Sequence, residues 1–357
     1  MTVTVLTPDR LGTAHIAAWK ALQQATPALA SPFLSPQFTL AVGRQRPTAR
    51  VAVLSEGSVP VGFFPYEHHR LGLGLPIGSG LCDVQGLVHV PGLEWDVRAL
   101  LQGCGLRLWR YDHLVADQGP FDAGVVHRSA SPVIDLTSGY EAYARDLHGR
   151  SPARVRQLRA KERRLTRSLG ETSLVFEEAA PERLDTLMRW KSAQYRAKGQ
   201  VDLFAKPSVV ALLHGLMRTR SAACTGTLST LYAGDRPVAM HFGLRSGRVL
   251  QYWFPAYDPE AARFSPGILL LLLMAEAAAA RGIERVDLGK GDERYKQEMK
   301  TGTLPLGEGW VAVGTLPSTL RHTLMTSGQR VRAMVAGSPA LRRIALRAVN
   351  TRRSAVG

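Results

Sequence analysis

Three successive segments in the second half of the chain are mainly apolar and are separated by short polar turns. Residues 227–233, 237–244 and 248–254 are rich in β-branched, aromatic and other apolar side chains, and polar turns with glycine separate them. Short segments bounded by such turns are typical of antiparallel strands. The pattern that precedes them predicts a strand at 173–178 and helices at 181–198 and 207–220.

The next segment predicts one βαβ unit. Residues 250–254 read as a strand, and 268–280 form an apolar run in which only Glu276 is polar, as expected of a helix buried against a sheet. Residues 283–288 then predict a short strand that ends in a polar, glycine-rich loop. The polar side chains therefore follow the carboxyl end of a strand, where α/β proteins commonly bind ligands.

The start of the apolar helix has the composition of an anion site. Ser265 suits the N-cap, Pro266 suits the first helical position, and Gly267 allows close approach to the exposed amides. Unpaired N–H groups and the helix dipole favour a pyrophosphate at such a terminus. Ser265, Pro266, Gly267 and Ile268 are therefore candidate donor-binding residues, the alternative being that Ser-Pro-Gly only starts a helix.

The first half of the chain predicts an α/β layer of its own. The expected elements are a strand at 3–6, a helix at 11–24, two strands within 50–66, a helix near 94–103 and short strands through Ile134. We expect an N-terminal domain at 1–144, a basic helical connector at 145–170, a C-terminal domain at 171–316 and a basic helical tail at 317–357.

Composition indicates a large globular protein. The chain has 357 residues, of which 45% are hydrophobic and 21% charged, and its apolar runs are too short to span a bilayer. The amino terminus lacks the pattern of a signal peptide, so we expect a cytoplasmic protein. The three cysteines are far apart and form no Cys-x-x-Cys pair, so neither a disulfide framework nor a metal site is predicted.

The net charge of +16 is unevenly distributed. Residues 145–170 contain nine Lys or Arg against Asp146 and Glu162, and 317–357 contain eight Arg and no acidic residue. The tail mixes apolar and arginine positions at helical spacing, which predicts contact with an anionic membrane at the inner face. The alternatives are an unstructured basic end and a helix packed on the domain.

Several short motifs combine into one family resemblance. The chain contains Pro255-x-Tyr257-Asp258, then Ser265-Pro266-Gly267, then Asp287-x-Gly289-x-Gly291-Asp292-x2-Tyr295-Lys296. This string resembles the CelD-like acetyltransferases of cellulose and exopolysaccharide biosynthesis, which belong to the GNAT superfamily and are related to the FemAB transferases. The resemblance covers roughly residues 172–313. It implies an α/β (α+β) fold of tandem GNAT-like domains, each with a mixed, mostly antiparallel sheet flanked by helices.

Three side chains are candidates for catalysis. Acyl transfer from a thioester needs a base for the nucleophile's proton and an acid for the departing thiolate. Asp287 is a candidate base or amine ligand, and the resemblance implies that Tyr295 protonates the sulfur. His241, in an apolar strand, is a second candidate base because histidine titrates near neutrality. The alternatives are an Asp287 that caps the following turn, a packed tyrosine and a core histidine.

Five further residues are candidates for substrate binding: Lys191, Tyr195, Tyr257, Asp292 and Lys296. Lys191 and Tyr195 are four residues apart on one face of a predicted helix, where the alternative is core packing by Trp190 with an exposed Lys191. Lys296 is suited to a carboxylate or phosphate, unless it is a solvated helix lysine. Asp83, which follows Ser79-Gly80, is similar to an aspartate in the first domain of the family.

These features predict an acyltransferase that moves an acetyl group from acetyl-coenzyme A to an amine or hydroxyl of a polar metabolite or surface-polysaccharide precursor. Many GNAT enzymes carry Gln/Arg-x-x-Gly-x-Gly/Ala at the helix start, whereas Arg263 here is followed at the third position by Pro266. Two alternatives therefore stay open. One is FemAB-like aminoacyl transfer from tRNA to a peptidoglycan precursor, with the connector contacting phosphates. The other is a non-catalytic module that binds anionic lipid or nucleic acid.

Overall fold

The structure, a computed structural model, describes residues 1–314, so the predicted basic tail and its membrane contact lie outside the described residues. The strands are β1 Thr2–Leu6, β2 Ala49–Glu56, β3 Val59–His69, β4 Leu73–Pro76, β5 Val88–His89, β6 Leu108–Val115, β7 Val125–Asp135, β8 Thr172–Val175, β9 Thr225–Ala233, β10 Arg236–Arg245, β11 Val249–Tyr257, β12 Arg285–Asp287 and β13 Gly302–Ala312. The α-helices are α1 Thr13–Ala25, α2 Pro36–Gly43, α3 Val97–Gly103, α4 Gly139–Arg150, α5 Pro152–Leu169, α6 Pro181–Ala197, α7 Pro207–Met217, α8 Pro266–Ala279 and α9 Arg294–Met299.

All strands belong to one sheet with the order β1-β2-β3-β4-β6-β13-β7-β12-β11-β10-β9-β8, and β5 pairs with β3 off this path. Pairing is antiparallel except between β4 and β6 and between β11 and β12. The predicted mixed α/β class, with a mostly antiparallel sheet flanked by helices, is confirmed. Within residues 1–314 no helix is both long enough and apolar enough to cross a membrane.

Strand β13 joins the two halves of the chain. It follows the last helix of the second half, yet it pairs with β6 on one side and with β7 on the other, both from the first half. Its pairing with β7 runs from Gly302 opposite Val133 to Gly309 opposite Val125. The division at residues 144 and 145 stays a prediction, because the sheet continues across it.

The core is shared in the same way. One buried cluster combines Trp19, Phe33 and Phe38 of the first half with Leu187 and Leu213 of α6 and α7. The ring of Trp253, on β11, lies edge-on to Phe33 at 5.0 Å between ring centroids and donates from Nε1 to the Leu81 carbonyl at 2.9 Å. Buried aromatic pairs of this kind hold the halves in a fixed relation.

The connector predicted at 145–170 is two helices rather than one. Helix α4 ends at Arg150, and Ser151-Pro152 begins α5, because a proline fits only the first turn of a helix. Leu158 and Leu165 of α5 pack with α8 in a second buried cluster. The apolar side of α5 is therefore used by the core, and its basic side faces solvent.

We predict that Gly309→Ala destabilises the fold. A Cβ at Gly309 would overlap the Gly124 carbonyl, where β13 bulges against β7. Overpacking of this kind typically costs about 1 to 3 kcal/mol. The measurement is the free energy of unfolding by urea. Gly149→Ala is the matched control, because nothing lies within 4 Å of its Cβ position and alanine is the better helix former. Equal stability of the two variants would contradict the close approach.

Candidate active site

The sheet opens into a cleft between β11 and β7. Strand β11 pairs with β12 only over Val249–Gln251 opposite Arg285–Asp287, and β7 pairs with β12 only over residues 133–135. Residues 252–257 of β11 and 125–131 of β7 therefore have no described strand between them. We refer to this gap, with the end of β12 at its base, as the cleft.

Helix α8 begins beside the cleft with an unusual turn. Ser265 is at the N-cap in the left-handed region, with φ 54°, and Pro266 occupies the first helical position. The predicted N-cap position is confirmed, but the Ser265 side chain makes no cap hydrogen bond. An N-cap residue normally adopts the extended region, which aims its side chain at the first turn. Here the Ser265 hydroxyl instead accepts a hydrogen bond from Lys161 Nζ of α5 at 2.6 Å.

The first turn of α8 offers one amide that the helix leaves unused. Pro266 has no N–H, and the Ile268 amide donates to the Ser265 carbonyl at 3.0 Å, so Ile268 is less available than predicted. The Gly267 amide is then the open donor among the described residues of this turn. A Cβ at Gly267 would lie 3.6 Å from Tyr257 Cδ1, and the Tyr252 hydroxyl donates to the Gly267 carbonyl at 3.4 Å.

Asp287 ends β12 at the base of the cleft and is 2% exposed. It accepts hydrogen bonds from the Ser131 hydroxyl of β7, from the Gly289 amide at 3.0 Å and from Gln251 Nε2 of β11 at 3.3 Å. The bond to the Gly289 amide agrees with the turn-capping alternative. Since both carboxylate oxygens are engaged, Asp287 is better suited to fixing the three strand ends than to accepting a proton.

Asp83 provides a second carboxylate, from the first half of the chain. Its Oδ2 lies 3.2 Å from the position of a Gly289 Cβ, and its Oδ1 lies 3.9 Å from His113 Nε2. His113 Nδ1 in turn lies 2.9 Å from Asp112 Oδ1. Burial and the charge of Asp287 raise the pKa of Asp83 to about 6, against the opposing effect of His113. The Asp83 side chain remains 29% exposed, so a substrate can reach it.

Lys191 and Tyr195 of α6 lie on the same side of the cleft as β11. Lys191 Nζ donates to the Pro255 carbonyl at 2.9 Å and lies 5.5 Å from the Tyr195 ring centre. Burial lowers the pKa of Lys191 to about 8, so the alternative of an exposed Lys191 is wrong. Burial, with a smaller contribution from the charge of Asp83, raises the pKa of Tyr195 to about 12.

Lys296 holds the loop that follows β12. Its Nζ donates to the Gly289 and Lys290 carbonyls at 3.1 and 3.2 Å and forms an ion pair with Glu293 at 3.2 Å. The residue is 7% exposed, which rules out a solvated lysine. Because its ammonium donors already have protein partners, Lys296 is suited to holding the loop in place and not to binding a phosphate. Asp292, at the tip of this loop, is exposed.

Tyr295 and Tyr257 lie near the start of α8. Burial raises the pKa of Tyr295 well above its usual value. Tyr295 also interacts electrostatically with the buried Tyr252, whose hydroxyl donates to the Gly267 carbonyl. Tyr295 is therefore protonated at neutral pH, as a proton donor must be. Tyr257 is 39% exposed at the end of β11.

His241 does not titrate near neutrality, so the basis of its prediction as a base is wrong. The ring is fully buried, stacks on Tyr252 at 4.5 Å, and accepts the Trp253 amide hydrogen at 3.1 Å through Nε2. Burial lowers its pKa to about 3. The strand pairing shifts register between Phe242 and Leu244, and His241 satisfies the amide that this irregularity leaves without a backbone partner.

Sequence reasoning missed the residues that connect distant parts of the chain, chiefly Lys161, Asp112, His113, Ser131 and Gln251. The one sequence feature that could have identified any of them is the adjacent polar pair Asp112-His113 near the end of an apolar strand. Within residues 1–314 no cluster of histidine, cysteine and carboxylate side chains is suited to a metal ion.

Comparison with known proteins assigns a domain to the second half. Residues 152–297 match the family model described as an acetyltransferase (GNAT) domain. A search of curated proteins found no match. Residues 152–297 are therefore similar to a GNAT acetyltransferase domain, and this similarity indicates an acyltransferase.

Two solved structures share the fold. FemX is 11% identical, with a TM-score of 0.56 over 91% of this chain and 100% of that chain. The C-terminal domain of a proposed lysylphosphatidylglycerol synthetase from Agrobacterium fabrum is 14% identical, with a TM-score of 0.51 over 87% of this chain and 96% of that chain. At these identities the likeness concerns the fold alone.

We predict that Asp83 makes the protein less stable as the pH rises. A carboxyl whose folded pKa exceeds its unfolded value stabilises the fold at low pH and loses that contribution as the pH passes the folded value, here about 6. Between pH 4 and 7 the wild type should lose about 1 to 2 kcal/mol more unfolding free energy than Asp83→Asn. Urea unfolding across that range is the measurement. Asp235→Asn, at an exposed turn, is the control and should follow the wild type; if Asp83→Asn does so too, the raised pKa is refuted.

Proposed function

We propose that the protein transfers an acetyl group from acetyl-coenzyme A to an amine or hydroxyl of a polar metabolite or surface-polysaccharide precursor. The observation that carries this proposal is the arrangement of the cleft. The start of α8, with Lys161, borders one side of it, and the Asp83 carboxylate lies over Gly289 at its base. A donor and an acceptor bound in this way would meet between β11 and β7.

The donor would bind along the second half. The Gly267 amide and the Lys161 ammonium, 2.6 Å from Ser265 Oγ, suit the pyrophosphate through helix dipole and charge. The edge of β11 that no strand covers over residues 252–257 offers backbone groups to the amides of the pantetheine arm. Tyr257, beside Gly267, would border the arm on its exposed side.

The acetyl group would move by direct attack. The acceptor nitrogen or oxygen bonds to the thioester carbon, its proton passes to the Asp83 carboxylate, and the carbon–sulfur bond breaks. Tyr295 gives its hydroxyl proton to the departing thiolate. A base with a pKa of about 6 is ionised yet still basic at neutral pH, which is the range that general-base catalysis favours. Asp287 would position Gln251, Ser131 and the Gly289 turn around these groups.

The acceptor would lie on the Asp83 side of the cleft. Lys191, Tyr195 and Asp292 offer it a partly buried ammonium, a phenol and an exposed carboxylate, a set that suits a polyhydroxylated or charged molecule. The CelD-like string, from Pro255 to Lys296, supports a surface-polysaccharide precursor within that class.

One observation favours a second candidate, aminoacyl transfer from tRNA. Arg156, Arg159, Arg163, Arg164 and Arg167 lie exposed on the outward face of α5. They form no ion pair within residues 1–314, and their like charges at three- and four-residue spacing disfavour the helix. A polyanion would neutralise them. Titration with tRNA at several salt concentrations separates the candidates: a steep salt dependence without affinity for acetyl-coenzyme A would favour tRNA, and tRNA affinity with neither activity would indicate a binding module.

We predict that Gly267→Val weakens binding of acetyl-coenzyme A at least tenfold while the fold persists. The side chain would cover the open amide, whereas its Cβ makes only an ordinary contact with Tyr257 at 3.6 Å. Titration calorimetry measures the affinity. Gly215→Val, in α7 with nothing within 4 Å, is the matched control and should bind like the wild type. Unchanged affinity of the Gly267 variant would show that the pyrophosphate does not bind at the start of α8.

A second prediction concerns turnover. The wild-type kcat/KM should rise with pH through about 6 as Asp83 loses its proton, and Asp83→Asn should lose that limb together with about 100-fold or more in kcat. Tyr295→Phe should lower kcat more than donor affinity, because its role as proton donor belongs to the transition state. Steady-state rates with an acceptor found by metabolite screening give the test. Equal losses in binding and turnover would make these residues structural.

A further inference from the structure

A separate cavity lies at the start of β12, away from the cleft. Its volume is about 350 Å³, and its polar lining residues are Arg285, Glu284, Asp135, Arg248, Thr137, Thr301 and Thr303. Pro27 and Ala30 of the first half cover one side. Arg285 and Asp287 point to the same face of the sheet, because side chains alternate along a strand. The cavity is therefore a neighbour of the cleft along β12, and nothing in the proposed reaction uses it.

Arg285 is the unexplained group in this cavity. Its Nε is buried and has no hydrogen-bond partner among the described residues. Asp135 stands directly opposite in the β7 pairing, yet no ion pair joins the two side chains in the part of the chain that the structure describes. A buried polar group without a partner costs about 1 to 3 kcal/mol. The half-buried Arg285 thus has one buried donor, Nε–H, to which no described protein group bonds, and a ligand in the cavity would satisfy it.

The other charged groups of the cavity already have protein partners. Arg248 binds Glu284 through Nε at 3.0 Å and Nη2 at 2.6 Å. Asp135 Oδ1 accepts from the Thr137 amide at 2.9 Å and the Thr137 hydroxyl at 2.7 Å. These bonds fix the exposed Asp135 beside Arg285, on the neighbouring strand and the same face of the sheet, without neutralising it. A ligand in the cavity then meets a guanidinium and a carboxylate side by side.

We propose that this cavity binds a small hydroxy acid or amino acid. The ligand's carboxylate would take both donors of the Arg285 fork, the geometry in which arginine binds carboxylates most strongly. Its hydroxyl or ammonium group would donate to Asp135. A simple anion would bond to Arg285 but would be repelled by the Asp135 carboxylate. This repulsion makes the site selective for ligands that also carry a hydroxyl or ammonium group.

The cavity also places the ligand next to the residues whose hydrogen bonds position Asp287. Ala30 of the cavity wall precedes Ser31, whose Oγ accepts from Gln251 Nε2 at 3.0 Å, and the same Gln251 nitrogen donates to Asp287. The ligand would therefore lie one residue away from the hydrogen bonds at the base of the cleft. The site itself does not depend on which acyl donor or acceptor the cleft takes.

The test observes Arg285 directly in the full-length protein. The Nε–H resonance of Arg285, identified by its loss in Arg285→Gln, is followed by NMR during titration with glycolate, glycine, acetate and inorganic phosphate. The Nε–H of Arg245, bonded to Glu177 at 2.9 Å, is the internal control. We expect glycolate or glycine to shift the Arg285 signal saturably with a Kd at least tenfold below that of acetate or phosphate, and the Arg245 signal to stay in place.

Variants supply the second measurement. The same ligand should raise the melting temperature of the wild type and of Arg294→Gln, whose side chain is 90% exposed, but not that of Arg285→Gln. Arg285→Lys keeps the charge and loses the fork, so it should bind at least tenfold more weakly; it replaces Arg285→Gln if that variant does not fold. An Arg285 signal that none of the four probes moves, tightest binding by phosphate or acetate, or binding that survives in the Arg285 variants would each overturn the proposal.

Discussion

Strand β12 joins the two parts of the sheet through Arg285–Asp287 alone, which pair with β11 on one side and β7 on the other. Beyond Asp287 the chain leaves the sheet, while β11 and β7 continue with no strand of residues 1–314 between them. The cleft exists because β12 is this short. Its last residue also binds both neighbours, through Gln251 and Ser131, so that the parting of the strands is fixed at one point.

The charged groups around this point come from both halves of the chain. Asp83 and His113 lie on the first half, and Lys296 and Asp287 lie on the second. Bringing them together costs desolvation, which appears as the raised pKa of Asp83. The pairing of β13 with β7 and the aromatic contacts of Trp253 hold the two halves together and offset that cost. A site whose acid and base are fixed in advance needs little reorganisation during reaction.

The local parts of this arrangement were predictable from sequence, and the long-range parts were not. The three-stranded meander, the helix from Pro266 and the polar loop after β12 each have their own pattern of apolar and turn residues, and the structure contains them. At Ser265 and at His241 the residue type suggested a role from its local sequence, but contacts with distant residues decide what each side chain does. Lys161 is 104 residues from Ser265, and no local pattern announces that contact.

The pairing of β13 with strands of the first half was likewise not predictable from local sequence. Its sequence reads as an ordinary final strand, but its partners β6 and β7 lie in the other half. Periodicity indicates which face of a strand is buried and says nothing about its neighbours. Asp83 stood out in the sequence only by its similarity to a family aspartate. Burial in the folded chain raises its pKa, and the charge of Asp287, far along the chain, adds to this rise.

We propose that the donor binds where β11 and β7 part. Hydrogen exchange of the full-length protein with and without acetyl-coenzyme A is the decisive measurement, because it reports on backbone amides one segment at a time. We expect new protection at the first turn of α8, including Gly267, and along residues 252–257 of β11. Protection confined to α5, or none at saturating ligand, would contradict it.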